Sequence, residues 1–275
     1  MNHKQVKHIV CQFHKELNKY YQKSIKDFDM EALHLLRLTY KKLRAFLRMI
    51  SYREQGGSEI TIAKKIKKAY RIAGLIRDIQ LHQQRIAEVA GQFGFQTKAY
   101  TCLLEKEIKR QKQGLSTIIS PENINNQKKK IYLLLPGRFS LLDADLYVQK
   151  KWASVNAIIA SGHFYDIEIH AIRKNLKDVL YNFSIFSEGE QELLSQRVWK
   201  RNDEAYYKAL LEELGCFQDQ CTAIVLLNPF RLKKLSKKDR QPLEQVKQIW
   251  LENKMATKQL LVTKLEALNV APSLA

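Results

Sequence analysis

The sequence contains few of the residues that interrupt helices. Its 275 residues include five prolines and ten glycines, and long stretches contain neither. Proline and glycine are the residues least compatible with a helix interior, and they are frequent in the turns that sheet proteins need. Their scarcity therefore favours a mainly helical fold and disfavours the sheet-rich classes.

Cysteines and long apolar runs are also scarce. The four cysteines show neither the CxxC pairing of a zinc site nor the density of a disulfide scaffold. We therefore expect reduced thiols and no metal centre, and no motif predicts a cofactor. No run approaches the roughly 18 apolar residues of a membrane span, and the basic N-terminus lacks the apolar core of a signal peptide. These absences predict a cytoplasmic protein that is not inserted in a membrane.

Acidic residues are strongly outnumbered. The chain has 28 aspartates and glutamates against 47 lysines and arginines, which gives a formal net charge of +19. A surplus of this size repels itself, and proteins usually tolerate it when a polyanion such as nucleic acid, a phosphate polymer or an anionic membrane is the partner. The alternative is a basic surface that serves only solubility.

Apolar residues recur at helical spacing through most of the chain. The patterns predict helices at about 4–26, 30–54, 59–92, 96–119, 141–161, 166–187, 190–227 and 240–268. Residues 56–58 (GGS) predict a turn, with Ser58 as a helix cap. Residues 120–130 (SPENINNQKKK) predict a linker, because they combine a proline, asparagines and a lysine run. Residues 131–135 (IYLLL) are predicted to be helical or irregular, and 231–240 a mobile exposed loop.

One specific stretch of the sequence occurs twice. Residues 28–46 align with residues 164–183, and both contain the pattern H-x2-R-x3-K. The alignment pairs His34 with His170, Arg37 with Arg173, and Lys41 with Lys177. Downstream, RIAGLIRDIQLH resembles LEELGCFQDQCT, and matching their aspartates pairs Asp78 with Asp219. This duplication predicts two four-helix bundles, 1–122 and 123–275, related by an approximate two-fold axis within one domain.

The cations of the first copy share one side of a helix. At about 100° per residue they form a stripe about 80° wide that borders the apolar face, which indicates the wall of a groove. This stripe contains His34, Arg37, Lys41, Arg44 and Arg48; the second copy has His170, Arg173, Lys174 and Lys177. Like charges at this spacing destabilise a helix by about 0.2–0.5 kcal/mol per pair. The repulsion needs an acid from another helix, for which Asp78 is a candidate, or a bound anion.

A second helix of each copy adds cations. Lys208 precedes Asp219 by the same number of residues as Lys67 precedes Asp78. The third predicted helix also carries Lys64 and Arg71 on this face. A lone histidine beside an apolar face is more often a core residue than a ligand. The recurrence of the histidine with the same arginine and lysine offsets favours a shared role instead.

These residues resemble the CHAD family, the conserved histidine α-helical domain. The resemblance is carried by HLLRLTYKKLRAFLR (34–48), LIRDIQ (75–80), HAIRKNLKDVLYNF (170–183) and LEELGCFQDQ (211–220). It implies an all-helical fold of two four-helix bundles around a basic central cavity. It also implies binding of inorganic polyphosphate without catalysis.

The resemblance extends the predicted site. Matched by position, the first motif gives His34, Arg37, Lys41, Lys42, Arg44 and Arg48, and the second gives His170, Arg173, Lys174, Lys177 and Tyr181. The facing helices add Lys64, Lys67, Arg71, Arg77 and Lys208. Asp178, Leu180 and Gln218 depart from the basic residues usual in the family, so the second half is expected to bind more weakly.

The predicted function is therefore non-catalytic binding of polyphosphate, with association to polyphosphate granules. Protonation of His34 and His170 is expected to strengthen binding as the pH falls towards 6. Nucleic-acid binding is the alternative, since cationic helices suit it on composition, but no recognisable DNA- or RNA-binding motif is present. Phosphatase or phosphotransferase chemistry is disfavoured, because no clustered carboxylates or phosphate-binding loop is present.

Overall fold

The computed structural model describes residues 1–52, 59–199 and 203–268, which form eleven helices and no β-strand. The helices are α1 (His3–Asp27), α2 (Met30–Ile50), α3 (Lys64–Phe93), α4 (Lys98–Ile118), α5 (Pro121–Tyr132), α6 (Leu141–Ala160), α7 (Asp166–Phe183), α8 (Glu188–Val198), α9 (Glu204–Leu226), α10 (Pro229–Leu232) and α11 (Lys237–Glu266). The all-α prediction is confirmed. No helix in these three ranges is long and apolar enough to cross a bilayer.

Short polar residues set both ends of α2. Phe28, at φ 52°, reverses the chain after α1, and the Asp29 carboxylate accepts a hydrogen bond from the Ala32 N–H at 2.8 Å. At the other end, the Ser51 hydroxyl donates to the Leu47 carbonyl at 2.7 Å. Helix α2 is therefore shorter than the predicted 30–54. The predicted turn at 56–58 and its Ser58 cap lie outside the described residues.

The linker predicted at residues 120–130 is wrong, because this segment is helix α5. Ser120 and Asn123 form a reciprocal capping box, and Pro121 occupies the first turn, where its missing N–H costs nothing. Buried Gln127 accepts from the Ala63 N–H at 2.9 Å and donates to the Thr61 carbonyl at 3.2 Å. These bonds hold the non-helical approach to α3, which starts at Lys64 instead of the predicted residue 59. Residues 131–135 are helical, then irregular, as predicted.

Two predictions in the second half also need correction. The single helix predicted at 190–227 is two helices, because the Asp203 side chain starts α9 by accepting from the Tyr206 N–H at 2.8 Å. Residues 231–240 are not one exposed loop, since Arg231 lies in α10 with its side chain 11% exposed. Its guanidinium donates to the Leu226 carbonyl and to the Glu107 carboxylate, at 2.7 and 2.8 Å.

Buried apolar side chains form two clusters, and helix α2 belongs to both. Leu36 and Tyr40 pack in one cluster, with residues of α3, α4 and α11, while Leu43 and Phe46 pack in the other, with residues of α6, α7 and α9. Each cluster takes side chains from both halves of the sequence. The division at residues 122 and 123, and the two-fold relation of two bundles, stay predictions.

Four helices surround the region where the duplicated motifs meet. Helix α2 packs against α3 and α7, and α9 packs against α3 and α7. The two motif helices, α2 and α7, are therefore direct neighbours, and the helices that carry Asp78 and Asp219 complete the ring.

Candidate anion-binding cavity

A cavity of about 330 Å³ lies between α2, α3, α7 and α9. Its lining consists of Arg37, Lys41, Arg44, Tyr70, Asp78, His170, Arg173, Lys174, Lys177, Asp178, Tyr181, Gln218, Asp219 and Thr222. Six of these side chains are lysines or arginines, and they come from both copies of the motif. Three are carboxylates. The predicted groove thus has a physical counterpart in which the two motif helices face one space.

Arg37 is held against helix α3. Its Nη1 donates to the Tyr70 carbonyl at 3.3 Å, and its Cζ lies 4.9 Å from the centre of the Tyr70 ring. The Tyr70 ring is stacked in turn on Tyr40, with centroids 4.2 Å apart. The guanidinium is therefore fixed by a carbonyl and an aromatic face, and its remaining N–H groups can serve another acceptor.

Two other arginines of the cavity have unused donors. The Nε atoms of Arg44 and Arg173 are buried and make no hydrogen bond to any described residue. A buried N–H without an acceptor costs free energy, on the order of 1–3 kcal/mol for an ordinary polar group. An anion with several oxygens would satisfy these donors.

Lys41 is the most perturbed cation of the cavity. Burial and, to a lesser degree, the nearby charges of Arg37, Arg173 and Lys177 together lower the pKa of its ammonium from 10.5 to about 7, while Asp78 opposes them. Burial also lowers the pKa values of Lys174 and Lys177. The cavity therefore holds more positive charge than its own residues stabilise.

The carboxylates of the cavity do not neutralise these cations directly. Asp178 accepts from Arg48 at 3.3 Å and from Lys151 at 2.9 Å, and Asp219 pairs with Arg85 at 3.6 Å. Asp78 forms no ion pair with a described residue, and burial raises the pKa of its carboxyl. Asp78, the candidate acid for the stripe, therefore forms no direct pair with Arg37, which Tyr70 holds instead.

None of the six lining lysines and arginines is in an ion pair, as far as residues 1–52, 59–199 and 203–268 are concerned. These six are Arg37, Lys41, Arg44, Arg173, Lys174 and Lys177. Cations that lack ion-pair partners repel one another, and the repulsion is weakly screened where solvent is excluded. The cavity is consequently suited to a ligand that carries several negative charges.

The two motif histidines occupy different positions. His170 lines the cavity, whereas His34 does not. Burial lowers the pKa of both imidazoles, and nearby cations add to the effect: Arg77 for His34, and Arg173 with Lys174 for His170. Hydrogen bonding to Gln218 opposes the shift at His170. Both histidines thus become charged only below their ordinary pH range.

The cavity contains half of the residues predicted for the site. Those on its lining are Arg37, Lys41, Arg44, His170, Arg173, Lys174, Lys177 and Tyr181; those not on it are His34, Lys42, Arg48, Lys64, Lys67, Arg71, Arg77 and Lys208. Arg48 is engaged with Asp178 and with Glu59. Arg77 donates to the Met30 carbonyl at 3.0 Å, and Lys208 pairs with Glu204 at 2.6 Å.

Sequence reasoning missed Tyr70, which supports Arg37. The only signal was its position on α3, eight residues before Asp78 and on the face that turns towards α2. Gln218 and Thr222 also line the cavity. In the sequence, Gln218 stands out only as a departure from the arginine usual in the family, and nothing singles out Thr222.

Comparisons with known proteins agree with the fold. The family model for the CHAD domain matches residues 9–228. The crystal structure of the CHAD domain from the plant Ricinus communis is similar over 98% of this chain and 92% of that chain, with a TM-score of 0.69 and 17% sequence identity. At that identity the likeness shows the fold alone. A comparison with curated proteins finds no match. Because the family model covers most of the chain, this protein belongs to the CHAD-domain family.

Proposed function

We propose that this protein binds inorganic polyphosphate in the cavity between α2 and α7 and does not catalyse a reaction on it. The observation that carries the proposal is the set of six lysines and arginines that line the cavity without an ion-pair partner in the described residues. Polyphosphate carries about one negative charge per phosphate, so a short stretch of polymer would compensate the whole set.

The energetic gain comes from two sources. Neutralising the repulsion between neighbouring cations favours any polyanion, and release of the polymer's condensed counterions adds an entropic term that weakens with salt. Arg44 and Arg173 contribute directional bonds, since their buried Nε groups lack acceptors and guanidinium N–H groups match phosphate oxygens. Lysines 41, 174 and 177 supply charge that adapts to the position of each phosphate.

The aromatic residues of the cavity favour a polymer without bases. The Tyr70 ring is stacked on Tyr40 and also carries Arg37, and Lys177 lies over the Tyr181 ring at 5.7 Å. Single-stranded nucleic acids gain much of their affinity by stacking bases on open aromatic faces. Because these rings already contact Tyr40, Arg37 and Lys177, they are not open to stacking with bases. Phosphate contacts are therefore expected to dominate, and binding of nucleic acid is tested by competition.

The test is a titration of fluorescently labelled long-chain polyphosphate with the full chain at several salt concentrations. Arg44→Glu and Lys174→Glu, both in the cavity, are each expected to weaken binding by roughly tenfold or more at 0.15 M salt. Lys109→Glu is the matched control, because it makes the same charge change on exposed α4, away from the cavity. Equal losses of affinity in all three variants would show that net charge alone governs binding and would contradict a specific site.

Two further measurements separate the other functional classes. Unlabelled duplex DNA that competes as well as polyphosphate, per phosphate, would favour the nucleic-acid alternative. Orthophosphate released from polyphosphate by the pure protein with magnesium would contradict binding without catalysis. In cells, a fluorescent fusion is expected in the cytoplasm and on polyphosphate granules, and Arg44→Glu is expected to disperse it.

A further inference from the structure

Two glycines on the facing helices lie directly against the two motif arginines. Gly74 lies on α3, four residues before Asp78, and Gly215 lies on α9, four residues before Asp219. A Cβ atom at position 74 would lie 2.7 Å from Arg37 Cζ and still closer to Nη1. A Cβ atom at position 215 would lie 3.3 Å from Arg173 Nη2. The same relation therefore occurs once in each copy of the duplication.

Backbone conformation does not explain these glycines. Among the described glycines, a positive φ is found at Gly94 and Gly162 and not at positions 74 and 215. Both positions are within helices, where glycine is less favourable than alanine. By contrast, Gly91, also on α3, has open space where a Cβ would be. What positions 74 and 215 share is an arginine that occupies the space of the missing side chain.

We propose that Gly74 and Gly215 are positioning residues that give Arg37 and Arg173 room to lie against the facing helix and direct their guanidinium groups into the cavity. The expected consequence, higher affinity for polyphosphate, rests on the proposed function. Arg37 is held on three sides, by the α3 backbone at Gly74, by the Tyr70 carbonyl and by the Tyr70 ring. A side chain held before binding loses less conformational freedom when the anion arrives.

Alanine at position 74 is expected to move the arginine and to leave the fold intact. The atoms that the new methyl group would meet belong to the far end of a flexible side chain, so Arg37 can swing away while the helices stay in place. In doing so it gives up its contacts with Tyr70. At position 215 the available space is larger, so a shift of a few tenths of an ångström is enough. The two glycines are therefore expected to differ in strength.

The experiment compares Gly74→Ala, Gly215→Ala and the control Gly91→Ala in the full chain. We expect polyphosphate affinity to fall roughly tenfold for Gly74→Ala, because Arg37 loses a charge-assisted bond to the anion. For Gly215→Ala we expect a fall of about twofold, because Arg173 is displaced only slightly. Gly91→Ala is expected to leave affinity unchanged. Helicity and the thermal unfolding midpoint are expected to stay level or rise in all three, because alanine favours helix. Unchanged affinity in Gly74→Ala, or a loss matched by unfolding, would overturn the proposal.

A double substitution tests whether Gly74 acts through Arg37. In an Arg37→Ala background, Gly74→Ala is expected to cause no further loss, because no guanidinium remains to be displaced. A full additional loss would contradict the assignment. A ligand-free readout is the rate at which phenylglyoxal modifies Arg37, followed by peptide mass spectrometry. We expect a several-fold rise in Gly74→Ala and none in Gly91→Ala; if this rise occurs while the wild-type protein fails to bind polyphosphate, the positioning role stands and the proposed function falls.

Discussion

The two motif helices bring the same residue types to one cavity, but their surroundings differ. Arg37 is held by Tyr70, whereas the position that corresponds to Tyr70 on α9 is Leu211, which offers no aromatic face. Arg173 has a buried Nε without a partner in the described chain, as Arg44 of α2 also does. The duplication repeats the arginine and the lysine, and the facing helix decides how each arginine is held in place.

The paired lysines differ in the same way. Lys41 is near three cations and one acid, namely Arg37, Arg173, Lys177 and Asp78. Lys177 is affected by the cation Arg173 and by the acids Asp219 and Glu212. On the α2 side of the cavity the arginine is therefore supported and the lysine under-compensated, while on the α7 side the arginine lacks aromatic support and the lysine is better balanced. Changing one side while the other serves as the reference tests this difference.

The largest difference is expected from removing the arginines. Arg37→Ala should weaken polyphosphate binding by roughly ten- to a hundredfold, the range of a lost charge-assisted hydrogen bond. Arg173→Ala should cost only about three- to tenfold, because ordering this side chain on binding offsets part of its gain. Titration of labelled polyphosphate at fixed salt measures both. A larger loss from Arg173→Ala would reverse the comparison.

A control for this experiment is Arg37→Lys. Lysine keeps the charge but has no fork of N–H groups to bond the Tyr70 carbonyl and a phosphate together. We expect an intermediate affinity. An affinity equal to the wild type would mean that charge alone matters on the α2 side.

The cavity lining on α2 and α7 could be predicted because helical periodicity fixes which residues share a face. Arg37 and Lys41 lie on one side of α2 beside its apolar arc, and Arg173 and Lys177 do so on α7, so burying both arcs brings the stripes together. The neighbours on other helices could not be predicted in this way. Arg48 shares the stripe but is bound by Asp178 of α7, a contact between residues 130 positions apart.

The errors of helix prediction have a similar origin. The asparagines and proline of residues 120–130 resemble a linker by composition, yet Ser120, Pro121 and Asn123 are in the order that begins a helix. Burial of Gln127 against the approach to α3 then stabilises that helix. Side chains that cap a helix and those that end one are chemically alike, so composition does not distinguish them.

The pH dependence of binding is expected to come from the α2 side. Because the pKa of Lys41 in the free protein is about 7, and a bound anion raises it, binding takes up a proton. Affinity should be fully developed below pH 7 and fall as the pH rises above 7, by at most about tenfold per unit for one proton. The pKa values of His34 and His170 are lowered from 6.5, so neither histidine is expected to cause the fall above pH 7. The measurement is a binding titration between pH 6 and 8.5.

Replacing the lysines by arginine identifies the responsible group. Lys41→Arg keeps a permanent charge and should flatten the profile between pH 7 and 8.5. Lys177→Arg is the matched change on α7, where Asp219 and Glu212 favour the ammonium form, and should leave the slope in place. A slope that survives Lys41→Arg would assign the proton to another group.

A smaller effect, of opposite sign, is expected from removing the acids. Asp78→Asn should strengthen polyphosphate binding by roughly fivefold, since a half-buried carboxylate near Arg37 and Lys41 repels the polymer at reduced screening. Asp219→Asn should change affinity by about twofold or less, because its carboxylate is 55% exposed and paired with Arg85. Weaker binding in Asp78→Asn would instead show that this acid helps to place the cations.

The smallest effects are expected from the cations outside the cavity. Lys67 is exposed on α3 and Lys208 is paired with Glu204 on the surface of α9, so Lys67→Ala and Lys208→Ala should each lower affinity by about twofold or less at 0.15 M salt. At tenfold lower salt both losses should grow, because screening weakens with ionic strength. A tenfold loss from either variant at 0.15 M salt would mean that the polymer leaves the cavity along α3 or α9, and that the site extends to the cations predicted there from the duplication.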